Sequence, residues 1–344
     1  SKKFRVVSNK YYRRILLRFE KFILPDLGGR PVVTIDSFET QAVLDAVETS
    51  NGWATADEVR KALSGLIKWA TDQKKYKNFV LLDGIKQVKG DAKKRYILKV
   101  CDIKVFYSYL TDERCPTPDV QKRVLLAMLC IGSRNQETSE GMWEEFDLEN
   151  KLWIVPARRM KGNEPGNGKI RANGYEGGIK RPHAVFIPNL LLEILGPPIG
   201  KAVFPRHYKT KEVINDIPSS PECPQNGINL AKECEAFEFP FPELTAYCLR
   251  HTFSSHMDSL GFSPLTYGRC QSHSDYSTKA SEKEAMEHGH GMAAKKHYTQ
   301  VNIFKSMRKK AEVWIAWEAE ICKQLGRPIP EYPEELLDYY EELG

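Results

Sequence analysis

Four separated segments carry side chains suited to chemistry on a phosphate ester. Gly132-Ser133-Arg134-Asn135-Gln136-Glu137 stands at the end of an apolar helical pattern. Leu152 to Lys161 reads LWIVPARRMK, Leu249 to Phe253 reads LRHTF, and His288 to Tyr298 reads HGHGMAAKKHY. Singly, each residue has an ordinary reading. An arginine at a helix end is usually a surface ion pair, and a lysine after a strand usually faces solvent. A histidine beside a glycine usually serves a turn or a core, and a tyrosine on an amphipathic helix is usually core. The order and the contexts together carry the signal. Arginine forks onto non-bridging phosphate oxygens and never deprotonates. A tyrosine ionises near pH ~10, so it attacks only a phosphodiester whose charge has been neutralised and which lies in line.

The elements that must position these segments follow from periodicity. Thr117-Pro118 reads as an N-cap with proline at the first helical position, and the helix to Ile131 is apolar on most faces, closed by Gly132. Phe146 to Leu148, Leu152 to Val155 and Ala184 to Ile187 read as short strands. Leu190 to Leu195, Leu244 to Ser259, Glu282 to Glu287 and Ile303 to Cys322 read as helices. Upstream, Lys10 to Ile23 is a basic amphipathic segment expected to stop at Pro25. Asp36 with Glu39, and Thr55 with Glu58, have capping-box spacing. Val59, Ala62, Leu63, Leu66, Ile67 and Ala70 then form the strongest helical stripe, read as a plain core face. Gly162 to Arg181, His207 to Pro240 and Phe262 to Lys279 read as irregular.

The fold class expected is mainly α with a small β-sheet, in two domains. Residues 1–85 form a helical domain, 86–95 a basic linker, 96–325 a mixed α/β domain and 326–344 an acidic tail that solubilises the chain end. The first twenty-five residues hold eight Lys or Arg against one Glu, whereas the last fourteen hold six carboxylates and no Lys or Arg. Basic clusters of this kind favour phosphate by counterion release, and Arg13, Arg14, Arg18, Lys93, Lys94 and Arg95 are the candidate DNA contacts. There is no apolar run long enough for a membrane span and no signal peptide, which points to the cytoplasm. Eight scattered cysteines without a CxxC pair fit reduced thiols. Cys270 with His273, and His288 with His290, match no standard zinc spacing, so no metal is expected. The absence of a Walker loop argues against an ATPase or helicase.

The four segments, in this order, resemble the boxes of the tyrosine recombinase (phage integrase) family, nearest to integrases of satellite prophages and genomic islands. LWIVPARRMK with the later Arg181-Pro182-His183-Ala184-Val185-Phe186-Ile187-Pro188 is similar to that group's strand, lysine and returning strand. Ile23 to Val32 and the Thr55-to-Ala70 helix look like its SAM-like core-binding domain, so the resemblance covers roughly residues 10–325. It implies a two-domain clamp on a double-stranded recombination site, acting as a tetramer, with accessory DNA-bending or directionality proteins as further partners. It also implies a bacterial cytoplasmic setting and a reaction without metal, ATP or other cofactor. By resemblance, Arg134 and Arg250 hold the phosphate and Lys161 is the general acid for the leaving 5′-hydroxyl. His290 hydrogen-bonds the transition state, and Tyr298 is the nucleophile that forms a 3′-phosphotyrosyl link.

The chain departs from the family at several places. Tyr247 stands where the family usually has histidine, three residues before the second arginine, and His251 lies beside Arg250 as a possible substitute. His288 competes with His290, which is preferred because Gly289 precedes it. The long segment after Lys161 leaves Lys169 and Lys180 as rivals. The arm-binding domain common to the group is not expected within these residues, and Ser1 reads as a cut rather than a natural start. Two other readings remain open: a type IB topoisomerase or telomere resolvase with the same chemistry, and a sequence-specific DNA-binding protein with a decayed active site.

Overall fold

The computed structural model describes residues 9–31, 34–72, 85, 95–160, 182–207, 213–272, 304 and 306–343. The described residues divide into two compact units, one ending before Arg95 and one beginning with it.

In the first unit, helix α1 (Asn9–Arg18) runs through a π-helical stretch (Phe19–Ile23) into α2 (Leu24–Leu27). Pro25 therefore does not stop the helix. It sits in the first turn of α2, where a missing N–H costs least. Helix α3 (Ser37–Asn51) begins with the expected capping box. The Asp36 carboxylate accepts from the Glu39 N–H at 2.8 Å, and Glu39 reaches back to the Asp36 N–H at 3.1 Å. Helix α4 (Trp53–Asp72) starts two residues before the expected cap, because Thr55 donates its hydroxyl to the Asn51 carbonyl instead of capping. The core joins Ile23, Leu27, Val43, Leu44, Val59 and Leu63. Farther along the same stripe Leu66 is 45% exposed, while Ile67 is partly buried against this core, so Leu66 falls outside the predicted core face.

The second unit is built around α6 (Asp119–Ile131), which follows α5 (Asp102–Thr111) and is buried on nearly every face. Thr117 does not cap α6. Its hydroxyl donates to the Gly227 carbonyl, and Pro118 takes the capping position. After α7 (Asn135–Ser139) comes a three-stranded antiparallel sheet: β1 (Phe146–Asp147), β2 (Leu152–Val155) and β3 (His183–Phe186). In register, Leu152 faces Phe186 and Val155 faces His183. Helix α8 (Asn189–Leu195) and the hairpin β4 (Pro205–His207) with β5 (Val213–Pro218) precede α9 (Cys223–Glu233), α10 (Ala246–Met257) and α11 (Pro264–Cys270). The segments 207–240 and 262–279, expected to be irregular, thus contain a strand and two helices. Pro224 and Pro264 each occupy a first helical turn, where a missing N–H costs least.

Helix α12 (Met307–Leu325) packs on its own unit. Its Trp314 and Trp317 indoles donate to the Ile131 and Leu129 carbonyls at 3.1 and 2.7 Å, which satisfies carbonyls at the buried end of α6 that have no partner within the helix. The acidic end is not a solvated tail. Residues Glu334–Leu343 form α13, whose Tyr340 is fully buried and donates to the Asn150 carbonyl at 2.6 Å. Arg308 at the start of α12 pairs with Glu334 and Asp338 of α13, so two of the acidic residues are neutralised within the unit. No helix among the described residues is long and apolar enough to cross a membrane.

Candidate active site

The site begins where α6 ends. Gly132 takes a left-handed conformation, φ +62, and any Cβ there would lie 2.5 Å from the Phe253 ring of α10. Glycine is therefore required both by the turn and by the close approach of α10. The chain reverses through Ser133, whose hydroxyl bonds Thr138, and places Arg134 at the N-cap of α7. Glu137, one turn on, accepts from the Arg134 backbone N–H at 3.0 Å and pairs with its guanidinium.

Arg250 arrives from the opposite side on α10 and is only 1% exposed. One nitrogen donates to the Gly132 carbonyl at 2.9 Å, and another donates to the carbonyl of Gln271 just after α11. The Gln271 amide returns a bond to the Arg250 carbonyl at 2.8 Å. Arg250 also lies 4.0 Å from the second oxygen of Glu137. Two arginines from distant parts of the chain thus flank one buried carboxylate.

The electrostatics follow. Burial pushes the Glu137 pKa up, but the two arginines and the backbone bond outweigh it and hold it below the usual carboxylate range. Burial, then the charge of Arg134, brings Arg250 down to about 10, so it stays charged at neutral pH. Within the trio of Arg134, Glu137 and Arg250, two cations and one anion leave one positive charge in excess. The Arg134 side chain is 18% exposed, which leaves this charge accessible from solvent. Beneath the pair, His183 donates from Nε2 to the Cys270 carbonyl at 2.9 Å, and Lys310 donates to the Ala184 carbonyl at 2.6 Å. Burial and then the neighbouring Lys310 depress His183 to about 3, so it is neutral, and burial lowers Lys310 to about 8.

Of the expected site residues, Arg134 and Arg250 are brought together. Tyr247 lies one turn before Arg250, 45% exposed, in hydrogen-bonding contact with the Arg250 side chain. Its ring meets His251 edge-on at 4.9 Å, and the other side of His251 takes a bond from Arg95 at 3.0 Å. Since Arg95 donates, Nε2 of His251 is the acceptor and the ring is neutral. Burial, Arg95 and Arg250 all lower its pKa in the same sense. Lys161, His290 and Tyr298, the rivals Lys169, Lys180 and His288, and the linker residues Lys93 and Lys94 lie outside the described residues. In the first unit Arg13 and Arg14 are exposed on α1, whereas Arg18 pairs with Glu58 of α4 and so has its charge matched inside the unit.

Glu137, Gln271, His183 and Lys310 were not singled out from sequence. The signal for Glu137 is its spacing of three from Arg134 at a helix start, which is capping-box geometry. His183 and Lys310 have no comparable signal, since an isolated His or Lys in sequence reads as surface.

Residues 1–79 match the family model described as the phage integrase central domain. None of the curated protein sequences compared matches the chain. Among solved structures, the chain is similar to a lambda integrase tetramer bound to a Holliday junction, at 15% identity and a TM-score of 0.54, over 79% of this chain and 74% of that one. It is also similar to a lambda integrase dimer bound to a COC′ core site, at 15% identity and TM-score 0.53, over 79% and 91%. The Tn1549 transposon integrase in complex with circular intermediate DNA gives 14% identity and TM-score 0.54, over 81% and 94%. The mostly helical chain with small antiparallel sheets therefore has the fold of these integrases.

Proposed function

We propose that the chain is a tyrosine recombinase, the site-specific integrase of a mobile genetic element, which cleaves and rejoins DNA without metal or ATP. The observation that carries the reading is the pair Arg134 and Arg250, converging on Glu137 with one positive charge in excess. In this reading the scissile phosphate lies against the two guanidinium groups, with His290 and Tyr247 donating to its non-bridging oxygens. Tyr298 loses its phenolic proton to water and attacks phosphorus. The P–O5′ bond breaks, its electron pair goes to O5′, and Lys161 supplies the proton. The 3′-phosphotyrosyl ester keeps the bond energy, so attack by a 5′-hydroxyl re-forms the phosphodiester and releases Tyr298. Fixed cations in a water-poor site stabilise the added charge of the pentavalent transition state.

Residues 1–85 serve as the core-binding domain and 86–95 as the linker, with the chemistry carried from residue 96 onward. Exposed Arg13 and Arg14, with Lys93, Lys94 and Arg95, contact the DNA backbone. Recombination needs two duplexes and four cuts, so copies of the chain assemble as a tetramer on the recombination site, in the bacterial cytoplasm. Tyr247 in the usual histidine place favours, as a second reading, a telomere resolvase or type IB topoisomerase with the same cleavage step.

A nicked duplex bearing the end sequence of the element that encodes the chain tests this. The expected result is a denaturation-resistant protein–DNA adduct that Tyr298→Phe abolishes. DNA binding without an adduct would leave a DNA-binding protein with a decayed site. Relaxation of supercoils without site preference would favour the topoisomerase.

A further inference from the structure

Two residues before Lys161 the chain contains a second buried arginine that the mechanism above does not use. Arg159 closes a 3-10 turn (Ala157–Arg159) at the exit of β2 and is 7% exposed. One of its nitrogens pairs with Glu145, whose same oxygen accepts from the Trp153 indole of β2 at 3.1 Å. Another nitrogen donates to the backbone carbonyl of Glu137 at 3.2 Å. The guanidinium also lies over the Trp153 ring, 5.9 Å from its centroid. Met160 beyond it is buried, and its N–H is bonded to Ala157. One side chain therefore ties the end of β2 to the helix whose Glu137 separates the two site arginines. A buried ion pair kept only for stability is replaceable by neutral groups at little loss. Holding Glu145 and the Glu137 carbonyl together from one side chain is what an apolar replacement cannot restore, because it uses two donors of the rigid guanidinium fork.

We propose that Arg159 is a positioning residue: it locks the exit of β2, two residues before Lys161 in sequence, to the Arg134–Glu137 helix, and the proton transfer assigned to Lys161 depends on that anchor. The inference rests on the assignment of Lys161 as the acid in the reading above. Arg159 itself touches no reacting atom. Its loss is expected to slow the step that needs the proton and to spare phosphate binding.

Leaving-group chemistry separates this from a plain structural role. With oxygen at the 5′-bridging position, departure needs the Lys161 proton. With sulfur there, the thiolate leaves without it, so a misplaced acid no longer matters. Single-turnover cleavage of the two nicked duplexes would be compared for wild type, Lys161→Ala, Arg159→Lys, and Arg159→Met combined with Glu145→Gln. The double variant removes both buried charges yet keeps an acceptor for the Trp153 indole. DNA affinity and thermal melting are read alongside.

Both Arg159 variants are expected to cut the oxygen substrate roughly 10- to 100-fold more slowly, the effect of misplacing a catalytic group by about 1 Å. They are expected to cut the sulfur substrate at close to the wild-type rate, with DNA affinity unchanged. Equal losses on both substrates, or full oxygen-substrate activity in the double variant, would overturn the proposal. If Lys161→Ala is not rescued by sulfur while wild type is active, the acid lies elsewhere and the proposal falls with that assignment. A wild type that cuts neither duplex overturns the recombinase reading itself.

Discussion

The two units handle charge in opposite ways. The first has an apolar core, and its buried Asp57 is paired at the edge with Arg60 and Lys61 of the same helix. The second sinks Glu137, Glu145, Arg159, His183, Arg250 and Lys310 to less than a tenth exposure. All eight histidines also fall after residue 182. Taking an ion from water costs several kcal/mol unless its partners are well placed. A unit that accepts that cost for Glu137, Glu145, Arg159, Arg250 and Lys310, with His183 buried neutral among them, needs a large apolar frame around the charges, and α6 with α12 supplies it. The first unit has no such burden and gets by with a small core, leaving large apolar side chains such as Phe38 and Leu17 in solvent. The difference assigns roles within the chain: a rigid frame for a fixed cation pair, and a simple helical module with a basic first helix.

The comparison can be broken most severely through the frame. Trp314→Ala removes a fully buried indole and its bond to Ile131, and should cost about 3–5 kcal/mol. Hydrogen exchange should then rise through α6 and α10 and stay unchanged in α3 and α4. A matching rise in the first unit would mean that the two cores are not independent.

Titration sharpens the contrast next. His183 is held neutral in the fold, with its pKa depressed from 6.5 to about 3. As the pH falls below about 6.5 the unfolded chain takes up a proton that the folded chain refuses. Stability from this group is complete above that pH and falls between about 6.5 and 3, by at most about 1.4 kcal/mol per pH unit. Protection of the second unit should therefore weaken from pH 7 to 5, and His183→Gln should flatten the slope. The first unit, with no histidine, should show none of it over that range. Glu137 adds to the loss once the pH falls into the ordinary carboxylate range, where the unfolded chain takes up a proton that the folded one, with its depressed pKa, does not.

The smallest effect belongs to the first unit. Asp36→Ala removes one half of the α3 capping box and should cost about 1 kcal/mol, read as faster exchange in the first turn of α3 alone.

Sequence was most informative where one local rule decides the outcome. The capping box of α3, the apolar α6 with Gly132 behind it, and the three short strands all obey period or cap chemistry, and each stands within a residue or two of its expected place. The convergence of Arg134 and Arg250 was readable because ordered boxes point to it, not because either arginine is unusual. What was not readable depends on neighbours distant in sequence. α13 looked like a solvated acidic tail because its apolar Leu336, Leu337 and Tyr340 are interspersed with carboxylates, and only the surface of the second unit shows which face they use. Arg159 and Lys310 were not singled out, because their partners, Glu145 with Glu137 and Ala184, lie on other elements. The proline-rich stretch 207–240 was read as irregular, yet Pro224 opens a helix within it, since a proline both breaks a helix and begins one.

The central claim is that Arg134 and Arg250 hold a phosphodiester by matching its charge. Replacing one non-bridging oxygen of the scissile phosphate by methyl removes that charge while keeping the reacting bond. Arg134→Ala is the better probe, because Arg134 is partly exposed and Arg250 is embedded in the frame. The measurement is covalent adduct formation by Arg134→Ala on the ordinary and the methylphosphonate duplex. The account predicts a variant nearly inactive on the charged phosphate and substantially restored on the neutral one. A variant equally inactive on both, while still folded and bound to DNA, would contradict charge matching as the function of the pair.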